Sequence, residues 1–312
     1  MLTSIIIQKI MTLYVNIFLG YLCAKRLKMQ GTDLAKLIFY IVTPFVIFQG
    51  ALKADLDNGV ALTLPVTIYI FCSILCFLFY YLGGKIWANN PQRNLIALSA
   101  GSANTGFIGL PVAIAVTNND PNLIGLYISG MLGISLYENS IGFYMVSKGE
   151  QTPKEALSRI AKLPIIYAFI AGSLLNYFGL EIADIPKSVM DLLNYIQGCY
   201  FTIGTLVIGI ALGQVDKLTI DKKFLGMAFL SKFVAWPLLT MAFILLDRAF
   251  FHIYEPDVHM AMKMLSIAPI ATNTVTMSLL FKIHPEKAAT TVLLAAFFAL
   301  VYMPLMVGLF II

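Results

Sequence analysis

The sequence predicts an all-α integral membrane protein of ten transmembrane helices, arranged as two inverted five-helix repeats in which helices 4 and 9 are broken and cross. Three observations predict it. The chain is 59% hydrophobic and 12% charged, with a mean hydropathy of +0.85. A soluble domain carries about 45–50% apolar and about 25% charged residues, and half that charge does not wet the surface of a 312-residue globule. Apolar segments near the roughly 20 residues that span a hydrocarbon core recur from end to end. Finally, the fourth segment of each half carries proline and an Asn-Thr pair near its middle.

The ten segments are 3–24, 32–51, 61–83, 94–117, 122–146, 163–180, 187–213, 223–246, 260–281 and 288–312. The gaps are short and polar, so no attached soluble domain is expected. The first segment has neither a basic stretch before it nor a small-x-small cleavage site after it, and it reads as a span rather than a signal peptide. Lysine and arginine collect in alternate gaps: Lys25, Arg26 and Lys28, then Lys85 and Arg93, then Lys148 to Lys162, then Lys217 to Lys223, then Lys282 and Lys287. These gaps are expected to face the cytoplasm, which leaves both termini external. The net charge of +5 is this asymmetry and gives no reason to expect nucleic acid.

The longest cytoplasmic gap, Ser147 to Lys162, divides the chain into residues 1–146 and 163–312, with five segments each. Five is odd, so the second unit enters the membrane from the opposite side, the inverted-repeat plan of many secondary transporters. Cys23, Cys72, Cys76 and Cys199 all fall inside predicted spans and read as small apolar residues. The three histidines lack ligand spacing, and the metalloprotease helix motif, the phosphate-binding loop and the nucleophile elbow are absent. No catalytic residue, metal or cofactor is expected.

Segment four contains "GSANTGFIGLPV" and segment nine "SIAPIATNTV". Asn104 lies about 9 residues into its span, roughly 14 Å at 1.5 Å per residue, and Asn273 is at comparable depth. Gly101, Gly106, Gly109 and Pro111 are expected to let segment four unwind there, and Pro269 to bend segment nine. Irregular backbone at that depth is tolerated only inside protein or along a wet cavity. Two such helices crossing bring half-helix N-termini toward one point, and Asn104, Thr105, Gly106, Asn273 and Thr274 form the expected substrate site. Neutral donors and positive dipole ends suit a small anion, a carboxylate above all. The competing reading is that these small residues merely let helices pack closely.

At these residues the sequence resembles the auxin efflux carrier family. "LAKLIFYIVTPFVIFQGAL" is similar to its second segment, "NTGFIGLPV" to its crossover, "LPIIYAFIAGSLLNYFGLEI" with "TIGTLVIGIALG" to its sixth and seventh segments, and "APIATNT" to its ninth. The resemblance implies a scaffold domain and a crossover transport domain. It also implies carriage of small organic anions, auxin in plants and malonate- or malate-like dicarboxylates in bacteria, with Asn104, Pro111, Pro269 and Asn273 in the crossover roles. The plant exporters' long cytoplasmic loop is absent, which favours a bacterial inner-membrane carrier.

Glu138 stands within segment five, in "SLYENSIG". A carboxylate in a span is costly and by default a functional candidate. With Asn139 and Ser140 beside it, it is the expected coupling site for a proton or sodium; the alternative is a structural ion pair with Lys232 of segment eight. The expected function is a secondary, elevator-type transporter of small carboxylates. Its rivals are a cation-coupled exchanger of the same fold and an anion-sensing receptor that does not transport. The expected partners are the lipid bilayer and the substrate, and a homodimer stays open.

Overall fold

A backbone crossing hydrocarbon has nothing to bond but itself, and an apolar segment meets that condition as a helix. In the computed structural model, which describes residues 2–53, 60–118, 120–147, 162, 164–180, 184–214 and 219–311, every regular element among the described residues is helical. In chain order these are α1 (Leu2–Leu27), α2 (Gly31–Leu37), α3 (Thr43–Lys53), α4 (Val60–Trp87), α5 (Gln92–Gly101), α6 (Leu110–Val116), α7 (Pro121–Asn139), α8 (Ile141–Val146), α9 (Pro164–Tyr177), α10 (Lys187–Gly213), α11 (Lys222–Phe229), α12 (Trp236–Leu246), α13 (Pro256–Ser266), α14 (Asn273–Leu280) and α15 (Pro285–Met306). Wide π turns at Ile38–Val42, Thr105–Gly109 and Leu230–Ala235 join α2 to α3, lead into α6, and join α11 to α12. Prolines open α7, α13 and α15, where a missing amide hydrogen costs nothing.

Among the described residues three helical stretches, Thr63–Trp87, Gln92–Val116 and Lys222–Phe251, are long and apolar enough to cross a membrane. A fourth, Pro285–Ala299 with Val301–Ile311, would cross with a 44° bend. The ninth expected span shows why the expected ten are not all continuous rods: it is two helices of 11 and 8 residues separated by a break. Phe18, Ile70, Leu238 and Val301 point outward from four different helices, as side chains facing lipid do. The protein is a multi-pass membrane protein. The expected cytoplasmic loop Ser147–Lys162 falls largely outside the described residues.

Helices α1, α2, α3, α9 and α10 pack on one another. A second group joins α4, α5, α7 and α8 to α11–α15. The first group owes its tightness to glycine: a Cβ on Gly20 would enter the carbonyl of Leu206, and one on Gly209 the carbonyl of Ile17, so α1 and α10 touch backbone to backbone. The groups meet where α3 lies on α7 and where α10 reaches the wide turn Thr105–Gly109. Segment four, Gln92–Val116, sits deepest: 83% of its apolar window is buried, against 39% for the other two continuous stretches. It is shielded from lipid by protein.

One end of the second group is pinned by a polar knot. Asp221 caps α11, accepting from the amides of Lys223 and Phe224 at 3.0 and 3.1 Å. Lys287 of α15 donates to Asp221 at 2.9 Å and to Gln92 of α5 at 3.3 Å. The Lys287 hydrogen bond, with the capping amides, holds the Asp221 carboxyl below its ordinary range. A carboxylate with a lowered folded-state pKa stabilises the fold above its unfolded value, about 3.9, and that contribution is lost as pH falls through the folded value. Asp221→Asn keeps a capping oxygen and loses the partly exposed ion pair, so it is expected to cost under about 1 kcal/mol at pH 7. Asp221→Ala loses the cap as well and should cost about 1 kcal/mol more. Melting curves of the two variants at pH 7 and pH 3 check this; a gap between wild type and Asp221→Asn that does not narrow from pH 7 to pH 3 would show another cause.

Candidate functional site at the crossing of two broken helices

Helix α5 stops at Gly101, and Ser102 takes an extended conformation (φ −84°, ψ 152°). Three residues later the chain re-enters helix through the wide turn Thr105–Gly109 and then α6. Helix α13 stops at Ser266, and α14 begins at Asn273. Segments four and nine are therefore both broken, as their Gly, Pro and Asn content predicts. The breaks meet: the Asn104 amide donates to the Pro269 carbonyl at 2.8 Å, and the Asn104 side chain donates to Thr272 Oγ1 at 3.1 Å.

Unwinding strands carbonyls that water cannot reach, and each needs a partner. Tyr137 Oη donates to the carbonyls of Ala97 and Leu98 at 3.0 and 3.2 Å. Trp236 Nε1 donates to Ala100 at 2.7 Å, and Lys232 Nζ to Ser102 at 2.6 Å. Lys232 is fully buried, and its ammonium also lies 4.4 Å from the centre of the Trp236 ring. It stands at the negative end of α5, where a cation is favoured. On the other side of the break Asn104 is the cap: its Oδ1 accepts from the Phe107 amide at 3.2 Å and its carbonyl from Gly109 at 3.0 Å. Tyr127 Oη donates to the Thr105 carbonyl at 3.0 Å.

Asn273, the first residue of α14, donates through its side chain to Glu138 Oε2 at 3.1 Å. Glu138 Oε1 is buried and makes no hydrogen bond of good geometry, although the Ser102 hydroxyl and the Ala103 amide are near enough to act on the carboxylate. The hydroxyls of Ser102 and Thr274 are likewise buried without a bond. Lys232 and Glu138 interact through space, but among the described residues no ion pair within 4.0 Å joins them. The crossing thus holds amide donors, two unbonded hydroxyls, one carboxylate and one ammonium. Buried polar atoms left unbonded call for an explanation, and a ligand supplies one.

Residues 5–153 match the protein family described as "Membrane transport protein". The chain is 25% identical over 279 residues to an uncharacterized transporter of Methanocaldococcus jannaschii, with 87% of each chain covered. It is 23% identical over 220 residues to an uncharacterized transporter of Methanothermobacter thermautotrophicus, covering 66% of this chain and 67% of the relative. By these matches, the protein is a membrane transporter.

Several expectations for this transporter change in detail. The glycines of segment four are not there for unusual backbone: among the described residues the one glycine with positive φ is Gly179. They make room instead, Gly101 beneath the Tyr137 ring and the Cys72 carbonyl, Gly106 under Tyr200 Oη and Gly109 under Tyr127 Oη. Pro111 lies on the first turn of α6, past the break, and so does not cause it. Pro269 lies inside its break and contributes a carbonyl to Asn104. Asn139 and Ser140 each spend a donor on their own helix. Asn139 donates to the Ser135 carbonyl at 2.9 Å, and Ser140 to the Leu136 carbonyl at 2.6 Å. Each asparagine of the crossing already uses one side-chain N–H within the protein, Asn104 on Thr272 and Asn273 on Glu138.

Lys232, Trp236, Tyr137, Tyr127 and Thr272 were not among the expected site residues. Lys232 had a signal: an ammonium in the middle of "MAFLSKFVAWPLL" is too far from either end to reach water. The aromatic residues had none, because a hydroxyl or indole aimed at a broken helix end looks in sequence like any other membrane aromatic.

Proposed function

We propose that this transporter carries small organic anions, carboxylates first among them, at the crossing of segments four and nine. The observation that carries the reading is the meeting of two broken helices, Asn104 on Pro269, with a buried ammonium, unbonded hydroxyls and the N-terminus of α14 gathered at one place. An anion there gains from the α14 amides and dipole and from Lys232. The packing supports an elevator-type scheme, with ten spans in two inverted repeats, residues 1–146 and 163–312. In it the group of α4, α5, α7, α8 and α11–α15 moves as the transport domain past the scaffold of α1–α3, α9 and α10. On this reading the carrier sits in a bacterial inner membrane with both termini outside, and Glu138, at the crossing itself, is the group that binds the coupling ion, a proton or sodium.

Ligands that bind the folded state raise its apparent stability, so a thermal-shift panel of mono- and dicarboxylates identifies the substrate class. Asn104→Ala and Asn273→Ala each remove a donor from a dehydrated site. A hydrogen bond to a charged group is worth about 1.5–3 kcal/mol, so affinity for the best carboxylate should fall about 10- to 100-fold in each. Asn104→Ala also removes a cap, at about 1 kcal/mol, and Asn273→Ala leaves the buried Glu138 carboxylate without that bond, so both should lose some stability as well. Unaltered affinity in both variants would sink the anion site.

A further inference from the structure

Glu138 and Asn273 come from different halves of the chain, yet the Asn273 amide donates to the Glu138 carboxylate at 3.1 Å. Asn273 is the first residue of the eight-residue helix α14, so the carboxylate lies at that helix's positive end. The next side chain, Thr274, is buried with an unbonded hydroxyl, and so is Ser102 across the crossing. This is the set of groups that an incoming carboxylate would use, and the protein's own carboxylate already occupies part of it.

We propose that Glu138 is a tethered competitor of the substrate: its carboxylate holds the Asn273 amide in the empty transporter, and a carboxylate ligand binds by displacing it. The proposal rests on the carboxylate reading above. Two like charges at one small site repel, so displacement is easiest when Glu138 is protonated. The titratable groups around Glu138 are Lys232 from segment eight, Cys72 from α4 and Tyr137 beside it on α7, with the neutral Ser102 and Asn273 also near it. Of these, Lys232 is the cation that can take over the released carboxylate. Anion binding and proton uptake are thereby linked through one side chain, with no second acid required.

The test is binding of acetate, malonate, malate and indole-3-acetate in detergent, at constant sodium, from pH 6 to pH 9. The wild type should bind its best ligand more tightly as pH falls. Glu138→Gln removes the charge, and Glu138→Ala removes the competing group. Both should bind that ligand about 10- to 100-fold more tightly than the wild type at pH 9, the factor that one charge-assisted hydrogen bond is worth, and both should show a weaker pH dependence than the wild type. Unchanged or weaker binding in both variants overturns the proposal, and so does a wild-type affinity that is flat with pH. If one variant fails to fold, the other decides. A wild type and variants that bind none of the four ligands would overturn the carboxylate reading itself, whereas wild-type binding without tightening in the variants overturns the competition alone.

Discussion

Replacing Lys232 with methionine is expected to lower stability by about 3–5 kcal/mol, the usual cost of removing one member of a buried set of charges. The side chain is fully buried, and its ammonium donates to the Ser102 carbonyl at 2.6 Å and lies over the Trp236 ring. Methionine fills most of the volume but leaves that carbonyl unpaired and the Glu138 charge uncompensated in a low dielectric. The loss should be partly recovered in Lys232→Met with Glu138→Gln, where no uncompensated charge remains. Melting of the purified single and double variants in detergent measures both effects. A wild-type melting temperature in the single variant would show that Lys232 is not what holds the end of α5. Recovery in the double variant would show that the two charges are coupled although they do not touch. Substrate affinity should fall in the single variant as well, since the site loses the one ammonium at the crossing.

Gly101→Val should be the most damaging single change in segment four. A Cβ at this position would run into the Tyr137 ring and the backbone carbonyl of Cys72, and a carbonyl fixed in a helix cannot give way as a long side chain can. Overpacking of this kind costs about 1–3 kcal/mol or more. Displacing Tyr137 also strips the donor from the Ala97 and Leu98 carbonyls, at about 1–3 kcal/mol for each buried group left unbonded. The variant is therefore expected to express poorly and to melt well below the wild type. If Gly101 served instead to unwind the helix, valine would impair binding and leave stability near the wild-type level. Expression and melting, read beside ligand binding, separate the two roles. Gly106 is expected to be more forgiving, because the atom a Cβ would meet there is the hydroxyl at the far end of Tyr200.

That this is a membrane protein built of helices was legible in the chain alone, because composition and segment length report directly on the solvent the chain must face. It also determined where two helices break. Glycine, proline and asparagine clustered at mid-span are tolerated only for a reason, and the matching places of Asn104 and Asn273 made that reason legible. What it left undecided was which groups answer one another across the crossing. Glu138 stood in the sequence as an isolated carboxylate, and its meeting with Asn273, 135 residues away, depends on how α7 lies against α14. The same holds for Lys232, whose partners are a carbonyl 130 residues away and an aromatic ring on its own segment. Spacing along a helix fixes which side chains share a face, but not which carbonyl of another helix that face will meet. That the glycines of segment four also make room for Tyr137, Tyr200 and Tyr127 was visible in the tertiary structure alone, because room for a neighbour's side chain is a property of the neighbour.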